Sequence, residues 1–487
     1  MYKNHAVSGM IWASLGQFGA TGISTVFVLI FARFLSPSDF GIFAIGALIV
    51  GLTSKVADLG LSTTIVQRDQ INSLVLSTAF WLVLLASISL AIVIISTSFL
   101  VFSIVGDYQV GRILPLLLFG MVLNSMNTLL TALLRRDLKV AVLAKRTFLA
   151  NLLSGVLATP LALKGYGVVA LVAQFFGGAV ISIFLTYLLL GWPVKLQFDR
   201  KIAREILRFG YPIMKSDLLQ QFNLDSPKFF VGAFLGTSAL GIFSMAMRLL
   251  NLICMVLGAS LSTVFFPLLS EINRTDPARL YEIYRRIFRL VITVYLPIFL
   301  LCAVLSRELV VILLGPDWSG AADITALLFI SGILVCIRDL NGGTAMAIGY
   351  PELRLRFVGL AAITGSLLLT IFTPMGLTWV GVAMIVRNIV SEYFMTRSIS
   401  KKFRSDWSLG SLLPVVPLTS AVALIGTSLV SQNLMLGAAD IATVIVCVVA
   451  SMCAYLAIIR VFDQRTYSEV ASIILGVFAN VSRRNTL

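Results

Sequence analysis

The chain has 487 residues, 59% of them hydrophobic and 12% charged, with a formal net charge of +15 and a mean hydropathy of +0.99. That balance excludes a water-soluble globular protein, in which apolar residues are fewer and broken by the period of a single buried face. Nucleic acid is set aside as the reason for the basicity, because the positive residues are spread over every second loop and not gathered on one surface.

A helix needs about 20 mostly apolar residues to cross a hydrocarbon layer of about 30 Å. Taken in chain order, about fourteen stretches qualify: 10–33, 40–57, 77–103, 113–134, 141–163, 166–191, 209–234, 239–264, 287–305, 322–346, 355–374, 378–396, 412–431 and 440–460. Runs such as Leu82 to Ile95 are apolar on all sides, as a lipid-buried helix must be and an alternating β-barrel strand is not. The expected class is an all-α polytopic membrane protein. No cleavable leader is expected, since the first apolar stretch is long enough to span.

Lys and Arg in short loops are retained on the cytoplasmic side. With both termini inside, about 28 of the 37 basic residues lie in cytoplasmic segments, among them Arg135, Arg136, Lys145 and Arg146, the run Lys195 to Arg208, and Arg274 to Arg289. Only Arg33, Arg112, Lys164 and Arg307 fall outside.

The chain also repeats itself. Phe34-Leu35-Ser36-Pro37-Ser38-Asp39-Phe40-Gly41-Ile42-Phe43 returns as Phe234-Leu235-Gly236-Thr237-Ser238-Ala239-Leu240-Gly241-Ile242-Phe243, and Leu61-Ser62-Thr63 as Leu261-Ser262-Thr263. About six spans separate equivalent points, an even number, so the halves enter the membrane in the same direction and relate by an axis along its normal. This predicts a six-helix lobe over 1–194, a cytoplasmic linker over 195–208, a second six-helix lobe over 209–405, an added helix pair over 406–462 and a cytoplasmic tail over 463–487.

The five cysteines lie in apolar spans without CxxC spacing and the single histidine, His5, is at the expected cytoplasmic tip, so neither a metal nor any other cofactor is expected. Short external loops leave no room for an extracytoplasmic catalytic domain, and an enzyme is disfavoured. The informative residues are polar groups within spans, where an ionisable side chain costs roughly 2.5 to 3.5 kcal/mol and so meets a partner or water. Asp217, Gln221, Asp225 and Lys228 on the seventh span share one helical face, with Asp225 and Lys228 able to pair. The equivalent positions on the first span are Gln17, Thr21, Thr25 and Val28. The two stripes are expected to meet across an aqueous cavity, or alternatively to hold neighbouring helices together.

Arg248, Arg338 and Arg387 lie deep within the eighth, tenth and twelfth spans, and no arginine of the first lobe is expected at such depth. A guanidinium fork suits a phosphate or carboxylate, so these three point to an anionic substrate. Internal neutralisation by Asp339 and Glu392 is the alternative. Asn341-Gly342-Gly343 weakens the tenth span and is a candidate hinge.

The segments Ala32 to Gly41, Ala57-Asp58-Leu59-Gly60-Leu61 and Ala347-Ile348-Gly349-Tyr350-Pro351-Glu352-Leu353-Arg354 resemble the polysaccharide-transport, Wzx-type flippases of the multidrug/oligosaccharidyl-lipid/polysaccharide exporter superfamily, similar to colanic acid and succinoglycan exporters. The resemblance implies a V-shaped cavity between the lobes, with side openings between the first and eighth and the second and seventh helices. It implies a substrate of undecaprenyl-pyrophosphate-linked oligosaccharide in the bacterial inner membrane, with membrane lipid, a polysaccharide polymerase and a chain-length regulator as partners. On that basis Arg248 and Lys215 serve as counter-charges to the pyrophosphate, with Gln221, Lys228, Arg338 and Arg387 as further contacts, and Asp217 and Asp225 either carry the coupling ion or form a structural salt link to Lys228. The rivals are a peptidoglycan-precursor flippase and a multidrug cation antiporter of the same superfamily.

Overall fold

The computed structural model describes residues 19, 21–68, 71–98, 108–137, 140–190, 194–260 and 265–403, together with six single positions between 421 and 460. Every regular element among them is helical. In chain order they are α1 (Thr21–Ala32), α2 (Pro37–Asp58), α3 (Leu61–Gln67), α4 (Ser73–Ser96), α5 (Tyr108–Arg136), α6 (Val140–Leu163), α7 (Val168–Leu190), α8 (Arg200–Ser260), α9 (Phe266–Thr275), α10 (Leu280–Val304), α11 (Ser306–Leu314), α12 (Ala322–Ala347), α13 (Pro351–Phe372) and α14 (Leu377–Lys402). Among the described residues nine helices are long and apolar enough to cross a membrane. The protein is an all-α polytopic membrane protein. The second to twelfth expected spans coincide with described helices over their described residues, the seventh and eighth being the two arms of α8, and the first is described only from Thr21 onward as α1, apart from residue 19. The last two, the tail and both termini lie outside the described residues, save the six single positions.

Breaks fall where the repeat puts them. Ser36 caps α2, accepting from the Asp39 amide while Asp39 Oδ2 accepts from the Ser36 amide and hydroxyl, and Pro37 supplies a first helical residue with no amide to satisfy. Asp39 Oδ1 also accepts from the Val168 amide at 3.1 Å, tying the start of α2 to the start of α7. At the equivalent position of the second copy, Gly236 interrupts α8 with φ 84° and ψ −175°, a conformation that glycine alone adopts without strain. The arms are called α8a and α8b below.

Packing divides the chain into two compact units, residues 1–245 with 362–380, and residues 246–361 with 381–487. In the first unit a core of Leu61, Ile65, Leu76, Phe80, Leu129 and Ile206 joins α3, α4 and α5 to the beginning of α8a. The segment before α8a is laid on α4, where Ser77 and Thr78 hydroxyls accept from the Lys195 and Asp199 amides and Trp81 Nε1 donates to the Lys195 carbonyl. From Arg200 onward the expected linker is already helical.

Within this unit α2 is seated on α8 along its length. A Cβ at Gly41 would overlap the Thr237 carbonyl oxygen, a Cβ at Gly241 would overlap the Pro37 carbonyl oxygen, and Gly60 and Gly210 are pressed together backbone to backbone. A Cβ at Gly51 would sit 3.5 Å from Gln221 Nε2. The side opening implied between the second and seventh helices is therefore closed in this structure, because glycines remove the side chains that would hold the two backbones apart.

In the second unit, Gly332 of α12 accommodates Phe299 of α10 and Leu250 of α8b, and the Tyr295 hydroxyl donates to the Leu257 carbonyl at 2.7 Å. Leu424 and Tyr455, from the expected thirteenth and fourteenth spans, pack against Leu301 and Leu305. The Tyr455 hydroxyl donates to the Thr293 carbonyl at 2.5 Å. At Asn341-Gly342-Gly343 α12 runs unbroken, so the backbone is not opened there in this structure, and Asn341 is fully buried and held by side chains of two other helices.

Candidate functional site

The site residues expected from the sequence fall into two groups, one in each unit. On α8a, Asp225 is the centre of the polar stripe. Its Oδ2 accepts from Gln221 Nε2 at 2.5 Å and its Oδ1 from Lys228 Nζ at 2.9 Å, while the carboxylate lies under Gly51 of α2. Only 8% of the residue is exposed, so the i,i+3 ion pair and the amide together satisfy a carboxylate that burial would otherwise penalise. Two turns earlier Asp217 is half-buried and lies within electrostatic range of Asp58 at the end of α2. Asp58 accepts from the Ser62 hydroxyl at 2.8 Å through Oδ2, and its Oδ1 has no partner. Lys215 is exposed, with its ammonium 4.4 Å from the centroid of the Tyr211 ring. On the first span, Gln17 lies outside the described residues, and the Thr25 hydroxyl is spent on the Thr21 carbonyl of its own helix.

In the second unit, Arg248 on α8b is half-buried and makes no hydrogen bond or ion pair among the described residues. Arg338 on α12 faces the adjacent Asp339 at 3.6 Å, a loose ion pair beyond hydrogen-bond distance. Arg387 on α14 is 5% exposed. It reaches only the side-chain oxygen of the next residue, Asn388, at 3.4 Å, and Nη1 has no partner. Arg338 and Arg387 are close enough to repel one another.

Glu392, expected as a neutraliser of Arg387, makes no ion pair with it. Its Oε2 accepts from Asn341 Nδ2 at 3.0 Å. Asn341 in turn accepts from the Tyr284 hydroxyl at 2.8 Å and donates to Thr396 Oγ1 at 3.0 Å. One asparagine thus joins α10, α12 and α14. Placing it from sequence required knowing that Asn341, Glu392 and Tyr284 share a layer, although the polar pair Glu392 and Thr396, four apart on an apolar helix, was the available signal.

A second buried arginine also went unrecognised. Arg146, expected among the cytoplasmic loop residues, is 7% exposed inside the first unit. Its Nη1 shares two hydrogens among Asn127 Oδ1, Thr131 Oγ1 and Thr186 Oγ1, all at 2.8 to 2.9 Å, while its Nε has no partner among the described residues. The first unit thus also buries an arginine against protein, near the start of α6. The readable signal was Asn127 and Thr131, four apart on an otherwise apolar helix. Among the described residues no three His, Cys, Asp or Glu side chains are arranged to hold a metal ion.

What the second unit presents is a set of arginines poorly matched by carboxylates within apolar helices. Such an arrangement favours an anion and disfavours an organic cation.

Comparison with known proteins gives a consistent picture. The chain is 22% identical over 438 residues to the lipopolysaccharide biosynthesis protein WzxC of Escherichia coli K12, covering 85% of both chains. It is 24% identical over 324 residues to the succinoglycan biosynthesis transport protein ExoT of Rhizobium meliloti, covering 66% of this chain and 65% of that one. Among solved structures, a lipid II flippase MurJ in an inward closed conformation superposes with a TM-score of 0.76 at 13% identity, over 93% of this chain and 99% of that one, and so shares its fold. Residues 30–323 match the family described as polysaccharide biosynthesis protein, and to that family the chain belongs.

Proposed function

We propose that the chain carries the headgroup of an undecaprenyl-pyrophosphate-linked oligosaccharide across the bacterial cytoplasmic membrane by alternating access of two lobes, 1–194 and 209–405. Both termini are cytoplasmic in this scheme, 195–208 links the lobes, and 406–462 and 463–487 form the added pair and tail. Family membership and the named transport role of the ExoT relative support this. The observation that carries it is the uncompensated positive charge of the second unit: among the described residues Arg248 makes no hydrogen bond or ion pair, and Arg387 Nη1 has no hydrogen-bond partner.

A pyrophosphate cannot cross hydrocarbon unshielded, because an isolated ion buried in low dielectric costs far more than any single contact returns. Arginines held without carboxylates supply the missing counter-charge, while the polyprenyl tail remains in lipid. Lys215, Gln221 and Lys228 are further contacts in this scheme, and Asp217 with Asp225 carries the coupling ion. A cation antiporter would need the opposite sign in its cavity.

Removal of one cationic contact should forfeit roughly 1.5 to 3 kcal/mol, about one to two decades in affinity. Arg248→Ala should thus lower polymer export at unchanged protein level, and Arg248→Lys should recover only part of it. Normal export by Arg248→Ala would remove this residue from the substrate path. In a deletion strain, lipid-linked repeat units should accumulate on the cytoplasmic leaflet. Accumulation of cell-wall precursor in their place would transfer the assignment to peptidoglycan.

A further inference from the structure

The beginning of α8a carries two arginines, Arg204 and Arg208, that the transport scheme leaves unused. The expected seventh span starts at residue 209, yet the helix begins at Arg200, so its first nine residues add about 13 Å before the span, at 1.5 Å each. Arg204, Arg208, Tyr211 and Lys215 follow at spacings of four, three and four, which places them on one face.

That face opens onto two adjoining cavities of about 560 and 510 Å³ that share Arg208. The first is lined by Arg204 and Tyr211 with Leu59, Leu207 and Met214, and the second by Arg68, Glu205 and Phe209 among others. The only lining carboxylate, Glu205, is taken by Arg68 at 3.1 Å. Arg204 and Arg208 are exposed, and neither makes an ion pair or hydrogen bond among the described residues. Phe209 and Tyr211 are 52% and 54% exposed, aromatic rings at the point where the helix enters its apolar stretch, as at a headgroup boundary.

Two free guanidinium groups call for an anion with several oxygens. The apolar wall of Leu59, Leu207 and Met214 calls for a hydrocarbon chain on the same molecule. A free anion would leave that wall unused, and an acidic protein or a nucleic acid would not need it. We infer that the paired cavities are a docking site for the phosphate headgroup of a lipid, with Arg204 and Arg208 on the phosphate and the leucines and methionine along the first part of its chain. The site rests on the transport reading for its orientation: with the basic segments cytoplasmic, it is where a lipid of the inner leaflet first meets the protein, remote in sequence from Arg248.

The test is native mass spectrometry of the full-length protein in detergent, titrated with farnesyl phosphate, with farnesol, and with inorganic pyrophosphate. Farnesyl phosphate should add one to one, and the other two should bind at least tenfold more weakly. Arg204→Gln with Arg208→Gln should weaken the farnesyl phosphate adduct about tenfold to a hundredfold, and the Lys pair should restore part of it. Both positions are exposed, so folding is not at stake, and melting of the purified variants checks that. Wild-type binding by the double Gln variant would overturn the site. Inorganic pyrophosphate binding as tightly as farnesyl phosphate would overturn its assignment to a lipid, and loss of the adduct in Arg248→Ala but not in the double variant would place the headgroup elsewhere. Should Arg248→Ala export polymer normally while the double variant still loses the adduct, the transport site fails and the docking site stands.

Discussion

Arg146 in the first unit and Arg387 in the second are both buried in apolar helices, 7% and 5% exposed, yet they differ in how many side chains from other helices reach them. Arg146 is surrounded by neutral oxygens on two other helices, Asn127 and Thr131 from α5 and Thr186 from α7. Thr186 also donates to Asn127 at 2.8 Å, which closes the network. Arg387 meets a single amide oxygen at 3.4 Å, from its own neighbour. Each arginine has a like charge in range, Arg135 for Arg146 and Arg338 for Arg387, and each keeps one buried nitrogen, Nε and Nη1 respectively, without a hydrogen-bond partner among the described residues. A buried charge that is well hydrogen-bonded is part of the framework, and one that is not leaves its binding capacity for something that arrives later. By that measure Arg146 is the more fully committed to the fold, and Arg387 is the one whose role as a substrate contact is open to test.

The contrast breaks most visibly at Arg146. Arg146→Ala removes at most two full charge-assisted bonds of about 1.5 to 3 kcal/mol each, since Nη1 has two hydrogens to share among its three oxygens, and this is partly offset because a cation no longer has to be buried. A net loss of about 2 to 5 kcal/mol is expected, seen as less folded protein in the membrane and an earlier melt in detergent. If Arg146→Ala keeps full abundance and loses only export, the framework role is wrong. Arg387→Ala should do the reverse. It should leave abundance at the wild-type level and reduce export by one to two decades in apparent affinity, from a lost contact of about 1.5 to 3 kcal/mol. The smallest effect belongs to the surface pair Arg68–Glu205, 28% and 66% exposed at the side chains. Glu205→Gln should cost under about 1 kcal/mol, less still in high salt, and a larger shift in the melting of this variant would show that α3 is held to α8a mainly by that pair.

How far the sequence reached depended on whether the signal was local. Span positions follow from runs of apolar residues, and the breaks at Ser36 and Gly236 follow from a capping serine with proline and from a glycine at the same place in each copy. The Asp225–Lys228 pair was legible because it lies within one helical turn. Arg146 and Asn341 were misread for the opposite reason. Their partners lie 15 to 40 residues away for Arg146 and 51 to 57 away for Asn341, and no local rule says that such residues meet. The glycines of Asn341-Gly342-Gly343 looked like a weak point because propensity favours a break there, but burial among three helices overrides a cost of about 1 kcal/mol per glycine.

The glycines at positions 41 and 241 carry a lesson of a different kind. Each lies against the carbonyl that precedes its own counterpart, Gly41 on Thr237 and Gly241 on Pro37. That is the geometry of an isologous interface, in which one patch meets a copy of itself across a two-fold axis. Here both copies belong to one polypeptide, so the chain makes at this point the contact that a homodimer of half-length subunits would make. Unlike a homodimer's, each side of this contact can change by itself, as Ser36-Pro37 against Gly236-Thr237 shows. A side chain gained at Gly41 would strike the second copy, and one gained at Gly241 would strike the first, so glycine is required twice over for a single point of touch.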